Sequence, residues 1–245
     1  MNPKQASAIV TGGGKRVGEA IVRALLTDGW DVIAHVHHQN DAVPDGARKV
    51  SVDLAAADCA AEIFAAADGG APVRLLVNNA ARFAFDGFGE ANAAEFDAHM
   101  AINARAPLLL IDELARRNAG GDALVVNLSD AKLAAPNPDF LSYTLSKYAL
   151  AGLTELAARA LAGKGIRVNA IAPALMLPSG EQDHENFAGV HALNPLGRGI
   201  QVGDVVAALR FLIDSPGMTG QTLGLDGGQR FMALARDVQF IGEKS

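Results

Sequence analysis

Residues 7–18 read SAIVTGGGKRVG, a short apolar run that leads directly into a glycine-rich turn. The following residues, 19–26, carry apolar side chains at helical spacing. A strand, a glycine turn and a helix in this order are the context of a dinucleotide-binding turn, because glycines let backbone N–H groups approach a phosphate at the helix N-terminus. The residues predicted to contact a dinucleotide here are Gly12, Gly14, Lys15, Arg16, Val17 and Gly18.

Segments of strand and helix character alternate along the rest of the chain. Further strands are predicted at 31–37, 49–52, 75–78, 123–128, 167–171 and 222–225. Further helices are predicted at 56–67, 93–117, 142–161 and 202–213. This alternation is typical of α/β proteins and predicts a single-domain, doubly wound parallel sheet in three layers, α/β/α. The connection 38–48 contains Pro44 and is short for a helical crossover, so a loop or a single turn is expected there.

The composition indicates one large globular domain over residues 1–245, since 50% of the residues are hydrophobic and 20% are charged. The formal net charge of −6 gives no general support to nucleic-acid binding. No stretch approaches the roughly 18 to 20 continuous apolar residues of a membrane span, and the first residues lack the apolar core of a signal peptide, so a cytoplasmic protein is expected. Cys59 is the only cysteine, which excludes an internal disulfide and a thiolate metal cluster.

Two side chains of the predicted helix 142–161 form a candidate catalytic pair. Tyr143 and Lys147 are four residues apart and therefore share one helix face. A lysine beside a phenol is expected to lower the pKa of the phenol by stabilising the phenolate, and its ammonium group can also hold a ribose. Asp130 stands thirteen positions before Tyr143, just beyond the predicted strand 123–128.

The Tyr-x-x-x-Lys pair, the strand before it and the glycine-rich run together resemble the short-chain dehydrogenase/reductase family along nearly the whole chain. The resemblance implies a Rossmann-type fold that binds a nicotinamide cofactor. In that family a hydroxyl normally stands where this chain has Asp130. An acid at this position narrows the resemblance to the pteridine-reducing branch, in which a carboxyl works beside the tyrosine.

The chemistry of the two substrate classes explains why Asp130 matters. In a carbonyl reductase of the family a serine hydroxyl binds the substrate carbonyl, and a carboxylate there would repel the developing oxyanion. A pterin ring has nitrogens that need a proton when hydride arrives, and a carboxyl can carry that proton if burial raises its pKa. Alternatively, Ser129 supplies the hydroxyl and Asp130 points elsewhere, because adjacent strand residues face opposite sides. The thirteen-residue spacing favours Asp130 as the residue that faces the cofactor.

The resemblance also implies roles for residues outside these motifs. Asn103 matches an asparagine that holds a helix kink and a water in the proton path. Phe83 matches an aromatic position that stacks the pterin, and Arg16 matches an arginine that can face both phosphate and the pterin edge. Further cofactor contacts are implied at Asp53, Leu54, Asn79, Ala80, Tyr143, Lys147 and Pro173, and further substrate contacts at Asp130, Tyr143 and Leu175.

Cofactor choice depends on the end of the second predicted strand, where an acid would accept bonds from the ribose hydroxyls of NAD and repel an added phosphate. This chain has His37 and His38 there and no acid. Together with Lys15 and Arg16 they can face a 2′-phosphate, so NADP(H) is predicted. A histidine run can also form a metal site, but carboxylate or thiolate partners are not evident and no metal is predicted.

Two segments near the end of the chain are expected to border the substrate. Residues 174–199 are polar and irregular and resemble the mobile lid of this fold, although a disordered surface loop has the same composition. The tail 229–245 runs beyond the last strand, and Arg230 or Arg236 can reach a neighbouring subunit's site if the protein is a tetramer. The resemblance implies a homotetramer.

The resulting hypothesis is NADPH-dependent reduction of a pterin such as dihydromonapterin, dihydrobiopterin or dihydrofolate to its tetrahydro form. Hydride would pass to a ring carbon while Tyr143 or Asp130 relays a proton to the adjacent nitrogen. Two alternatives stay open. One is an NADPH-dependent carbonyl or 3-oxoacyl reductase in which Ser129 supplies the hydroxyl, and the other is a catalytically silent NADP-binding protein that regulates a partner.

Overall fold

The computed structural model describes residues 1–178 and 184–241, and its centre is a parallel sheet of seven strands. In chain order the strands are β1 Ser7–Val10, β2 Asp31–Val36, β3 Arg48–Ser51, β4 Val73–Asn78, β5 Ala123–Leu128, β6 Ile166–Pro173 and β7 Thr222–Leu225. Across the sheet the order is β3-β2-β1-β4-β5-β6-β7, and every neighbouring pair is parallel. The direction of winding reverses between β1 and β4, where ligands bind in doubly wound sheets.

Helices cover both faces of this sheet. They are α1 Arg16–Thr27, α2 Cys59–Ala65, α3 Ala93–Met100, α4 Ala106–Arg117, α5 Leu141–Leu161, α6 His184–His191 and α7 Val202–Asp214. One core lies between the sheet and α2, α4 and α5, and the other lies between the sheet and α1 and α7. This arrangement confirms the predicted three-layer α/β/α fold. Within the described part of the chain, none of these helices combines the length and apolar character needed to cross a membrane.

The strands are buried on both faces, which explains their nearly continuous apolar sequence. All six residues of β5 are buried, and successive side chains enter opposite cores, as Val125 and Val126 do. Cys59, the first residue of α2, lies in the core that α4 and α5 share, and none of its surface is exposed. Burial also raises the pKa of its thiol. The only cysteine is therefore a packed core residue.

The predictions for the segments around the sheet are confirmed in one case and wrong in another. The connection between β2 and β3 contains no helix, which confirms the loop predicted at 38–48. The prediction of irregular structure for 174–199 is wrong for its middle part, because α6 forms there. Phe187 stacks on His191 one turn later with ring centroids 4.5 Å apart. This contact lies within a single turn, so it leaves no clear apolar pattern in the sequence. Residues 179–183 of the predicted lid lie outside the described residues.

Candidate active site

The glycine-rich turn between β1 and α1 is shaped by close backbone approaches. Gly12 has a φ of +65°, and a side chain at Gly18 would place its Cβ 2.0 Å from the Gly12 carbonyl oxygen. The Gly12 N–H donates to Nδ1 of His35 over 3.2 Å, and the other ring nitrogen of His35 lies 2.9 Å from the Val52 carbonyl. His35 must therefore be neutral with its proton on Nε2, and burial lowers its pKa. No sequence pattern indicated this supporting role.

A cavity of about 570 Å³ runs along this turn at the carboxyl ends of β1 and β2. Its size and its glycine-lined floor fit a dinucleotide. The predicted cofactor residues that line it are Gly12, Gly14, Lys15, Arg16, Val17, Gly18, His37, His38, Leu54, Asn79 and Ala80. Asp53 is not among the lining residues, because its carboxylate turns back to accept the Ala55 N–H over 2.8 Å. Its predicted adenine contact stays a prediction.

Asp41, in the connection between β2 and β3, is an acid that the sequence analysis did not place in this cavity. Its carboxylate accepts the His38 N–H over 3.1 Å. Lys49 donates to the carbonyl oxygens of Gln39 and Asp41 and so helps to hold the loop. A short loop with no periodic pattern can deliver a side chain to the cavity without leaving a signal in the sequence.

Arg16, the first residue of α1, belongs to this cavity and to the one beside it. Its φ is +54°, a conformation that glycine adopts freely and that an arginine adopts under strain. One guanidinium nitrogen donates to the Pro178 carbonyl over 2.9 Å. The side chain therefore connects the glycine-rich turn with the segment that follows β6.

The adjoining cavity, of about 460 Å³, contains the candidate catalytic residues. Tyr143 reaches it from the first turn of α5, and Asp130 reaches it from the end of β5. The Tyr143 hydroxyl donates to Oδ2 of Asp130 over 2.6 Å, while Oδ1 accepts the Lys132 N–H over 2.8 Å. Ser129 also lines this cavity, but it is the Asp130 carboxyl that accepts the tyrosine hydroxyl.

Both groups of this pair hold their protons more tightly than usual. Burial raises the pKa of Asp130 even though the Tyr143 hydroxyl and the Lys132 N–H stabilise the carboxylate. Burial and the neighbouring Asp130 charge raise the pKa of Tyr143 well above its ordinary value. The Tyr143 hydroxyl therefore keeps at neutral pH the proton that it donates to Asp130.

Lys147 is almost completely buried one turn after Tyr143. Its Nζ donates to the Leu128 carbonyl over 2.6 Å and lies 5.6 Å from the centre of the tyrosine ring. Burial lowers the pKa of Lys147 from 10.5 to about 8. Burial and Asp130 act on the phenol in the direction opposite to the lowering expected from Lys147, so the pKa of Tyr143 is raised, and the expected effect of Lys147 stays a prediction.

Asn103 lies in the π-helical turn Ala101–Arg105 that joins α3 to α4. Its Oδ1 accepts the Arg82 N–H over 2.7 Å, and its Nδ2 donates to the Arg82 carbonyl and to Oγ of Ser146, both over 2.9 Å. Ser146 in turn donates to the Tyr143 carbonyl over 2.6 Å. Asn103 thus joins the segment after β4 to the helix that carries the tyrosine.

The start of α5 is fixed by Asp86, a buried residue that the sequence analysis did not single out. Its carboxylate accepts the Ser142 N–H over 2.8 Å and also the Ser142 hydroxyl. Phe140, just before the helix, has a φ of +54° and stacks on Phe83 with ring centroids 4.3 Å apart. Phe83 meets the Tyr143 ring edge-on at 4.7 Å, lines the cavity and remains 39% exposed.

The remaining predicted residues lie around the same cavity. Pro173 and Leu175 line it at the end of β6. Arg230 and Arg236 line it as well, but they pair with Asp226 and Asp139 of their own chain. Their reach to a neighbouring subunit stays a prediction. Across residues 1–178 and 184–241, no cluster of three His, Cys, Asp or Glu side chains could hold a metal ion.

Known proteins resemble this chain over nearly its whole length. A family model described as Enoyl-(Acyl carrier protein) reductase matches residues 14–230. L-xylulose reductase from Bos taurus is 34% identical over 90% of this chain and 95% of its own. Pteridine reductase 1 from Leishmania tarentolae is 31% identical over 93% of this chain and 97% of its own.

A solved structure with the same arrangement is FolM Alternative dihydrofolate reductase 1 from Brucella canis, crystallised with NADP. It is 36% identical, covers 94% of this chain and 96% of its own, and has a TM-score of 0.89. The family model covers Gly14 to Gly18 of the glycine-rich turn together with Asp130, Tyr143 and Lys147. This chain belongs to the short-chain dehydrogenase/reductase family and is an oxidoreductase of that family.

Proposed function

We propose that this protein uses NADPH to reduce a dihydropterin to the corresponding tetrahydropterin. The observation that carries the proposal is the 2.6 Å hydrogen bond between the Tyr143 hydroxyl and the Asp130 carboxyl inside the cavity. The similarity to Pteridine reductase 1 and to the FolM structure supports the same substrate class.

The cavity at the glycine-rich turn would hold the cofactor. Backbone N–H groups at the start of α1 and the Lys15 side chain would face its phosphates, and His37 and His38 would lie near the adenosine ribose. The one carboxylate lining this part, Asp41, is engaged by the His38 N–H. NADP(H) is therefore the proposed cofactor, in agreement with the NADP named for the FolM structure. Bound NADPH supplies the hydride for the reaction.

The Asp130 and Tyr143 pair would supply the proton. The raised pKa of Tyr143 keeps its hydroxyl protonated at neutral pH, and this hydroxyl, with Asp130 beside it, would pass its proton to the ring nitrogen next to the carbon that receives hydride. Reduction of one C=N bond needs one hydride and one proton, and solvent then returns a proton to the pair.

Other residues would position the reactants. Lys147 would hold the nicotinamide ribose, and Asn103 would keep α5 in register with the segment after β4. Phe83 and Arg16 would place the pterin ring, since both line the cavity beside the tyrosine.

Carbonyl reduction is the second candidate function, because Ser129 lines the same cavity and because L-xylulose reductase is among the relatives. In that reaction Ser129 would bind the substrate carbonyl and Asp130 would be dispensable or harmful.

The test is NADPH oxidation by the purified protein with dihydromonapterin, dihydrobiopterin and dihydrofolate, and with a ketone and a 3-oxoacyl compound. For wild type we expect turnover of the pterins. In Asp130→Ser we expect that turnover to fall by about 10²- to 10⁴-fold, the usual contribution of a general acid. Ser129→Ala is the matched control and should retain pterin turnover.

Turnover confined to the ketone or 3-oxoacyl compound, lost in Ser129→Ala and kept in Asp130→Ser, would establish carbonyl reduction instead. Tight NADPH binding without turnover of any substrate would favour a catalytically silent binding protein.

A further inference from the structure

The chain after β7 returns to the candidate active site and forms one side of it. This part of the chain contains two short 3-10 turns, Gln229–Met232 and Val238–Phe240. The residues of the segment that line the catalytic cavity are Leu234, Arg236, Asp237, Val238 and Gln239. We call residues 234–240 the tail wall.

Charged contacts fix the tail wall to the segment before α5. The carboxylate of Asp139 accepts two hydrogen bonds from Nε of Arg236, at 3.0 and 2.8 Å, and one from the Asp237 N–H at 2.7 Å. The Lys132 ammonium forms an ion pair with Asp237 over 3.3 Å and donates to the Asp139 carbonyl over 2.5 Å. Burial opposes ionisation of Asp139, yet these donors hold its pKa below the ordinary value. Asp139 is thus the main anchor of the tail wall.

Apolar contacts fix the other end of the tail wall. The Phe240 ring stacks on Phe140 with centroids 5.8 Å apart and meets Phe85 edge-on at 5.5 Å. The Gln239 carbonyl accepts a hydrogen bond from Asn186 of α6 over 3.3 Å. The tail wall therefore joins the entrance of α5 to α6 and closes this side of the cavity.

The space that remains is small. The cavity of about 460 Å³ is in the lower part of the roughly 300–1,000 Å³ range of ligand pockets, and it must hold the reacting ring of the cofactor as well as the substrate. A cavity of this size suits a reacting ring with a short substituent.

We propose that the tail wall is the specificity-determining element of this cavity, and that the Asp139–Arg236 ion pair keeps it closed against substrates whose ring carries a long substituent. The inference rests on the proposed pterin reduction and adds which end of the substrate the protein discriminates. A dihydropterin with a short hydroxylated chain fits behind the closed wall, whereas the long aminobenzoyl-glutamate substituent of dihydrofolate requires the wall to move.

The test compares kcat/KM for dihydrofolate with kcat/KM for dihydrobiopterin in wild type and in Asp139→Asn. The variant loses the charge that holds Arg236, so we expect the dihydrofolate-to-dihydrobiopterin ratio to rise about tenfold, mainly through a lower KM for dihydrofolate. Phe240→Ala loosens the same segment through a different contact and should raise the ratio as well.

Asp28→Asn is the matched control. Asp28 forms an equivalent two-bond ion pair with Arg210 that joins α1 to α7, away from the cavity, so its loss should leave the ratio unchanged. If wild type is active on dihydrobiopterin and the ratio is unchanged in both Asp139→Asn and Phe240→Ala, the proposed role of the tail wall in specificity is wrong. Pterin reduction is then not contradicted. Wild type that reduces neither compound would overturn both.

Discussion

Arg16 occupies a backbone conformation in which glycine is favoured, at a position where its side chain faces both cavities. A non-glycine residue in this region costs about 1–3 kcal/mol. We expect Arg16→Gly to raise the free energy of unfolding by about 1 kcal/mol, since part of the relieved strain is offset by the more flexible unfolded chain. The same change should raise the KM for the proposed pterin substrate.

Urea unfolding and steady-state kinetics on the same preparation would measure both effects. Arg16→Ala is the control, because it removes the guanidinium and keeps the strain; it should lose activity without gaining stability. A less stable Arg16→Gly would mean that the contact with Pro178 outweighs the strain.

Lys147 shows the cost of placing a charge inside the protein. Its pKa is about 8 in the folded protein and 10.5 ordinarily, so the unfolded chain binds its proton more readily between these values. Stability should therefore increase as pH rises from about 8 to 10.5, and the full destabilisation by the buried Lys147 charge is present below pH 8. The shift corresponds to about 3 kcal/mol.

We expect Lys147→Met to raise the free energy of unfolding by about 2 kcal/mol at pH 7 while abolishing turnover. The gain should shrink by pH 10. Denaturant unfolding at both pH values is the measurement, and an equal gain at both would show that charge burial is not the cause.

At the scale of elements, the π-helical turn between α3 and α4 depends on Asn103. Its amide satisfies both backbone groups of Arg82 and the Ser146 hydroxyl, and Asn103 itself is 1% exposed. We expect Asn103→Ala to lower the free energy of unfolding by about 2–4 kcal/mol, because buried backbone groups lose their partners. Thermal or urea unfolding would detect this loss.

Ser146→Ala removes only one of these bonds to Asn103 and should cost about 1 kcal/mol. A loss in Asn103→Ala no larger than in Ser146→Ala would indicate that water replaces the missing amide.

The elements that sequence patterns predict well are those with a repeating apolar face or a short motif. Buried strands such as β5 and the glycine-rich turn before α1 are of this kind. Tyr143 and Lys147 are found by their spacing on one helix, and Asp130 by its fixed distance from the tyrosine. Each of these signals lies within a local stretch of chain.

The parts that sequence could not predict are contacts between distant stretches. Asp86 fixes the start of α5 from 56 residues away, and Arg236 reaches Asp139 across 97 residues. No periodicity links such pairs, because each depends on how separate segments pack. The raised pKa of Tyr143 is a further case, since its causes, burial and the neighbouring Asp130, depend on how α5 packs beside the end of β5.

For the whole molecule, cofactor binding should appear as added stability. A ligand that binds only the folded state at a hundred times its Kd stabilises it by about 2.7 kcal/mol. For a chain of this length that corresponds to a rise in Tm of roughly 5–10 °C. We expect this shift with NADPH and a smaller one with NADH at the same concentration, measured by thermal unfolding. Equal Tm shifts with the two cofactors would contradict the prediction that His37 and His38 face a 2′-phosphate.

Because Cys59 is buried, the reactivity of its thiol measures how often the wild-type protein opens around it. The chain's only thiol lies in the core shared by α2, α4 and α5, so a thiol reagent can modify it only when that layer separates from the sheet. The rate of modification under native conditions therefore gives the frequency of such separation without any engineered label. Repeated with NADPH present, it would tell whether a ligand on the carboxyl edge of the sheet restrains motion in the layer that contains Cys59.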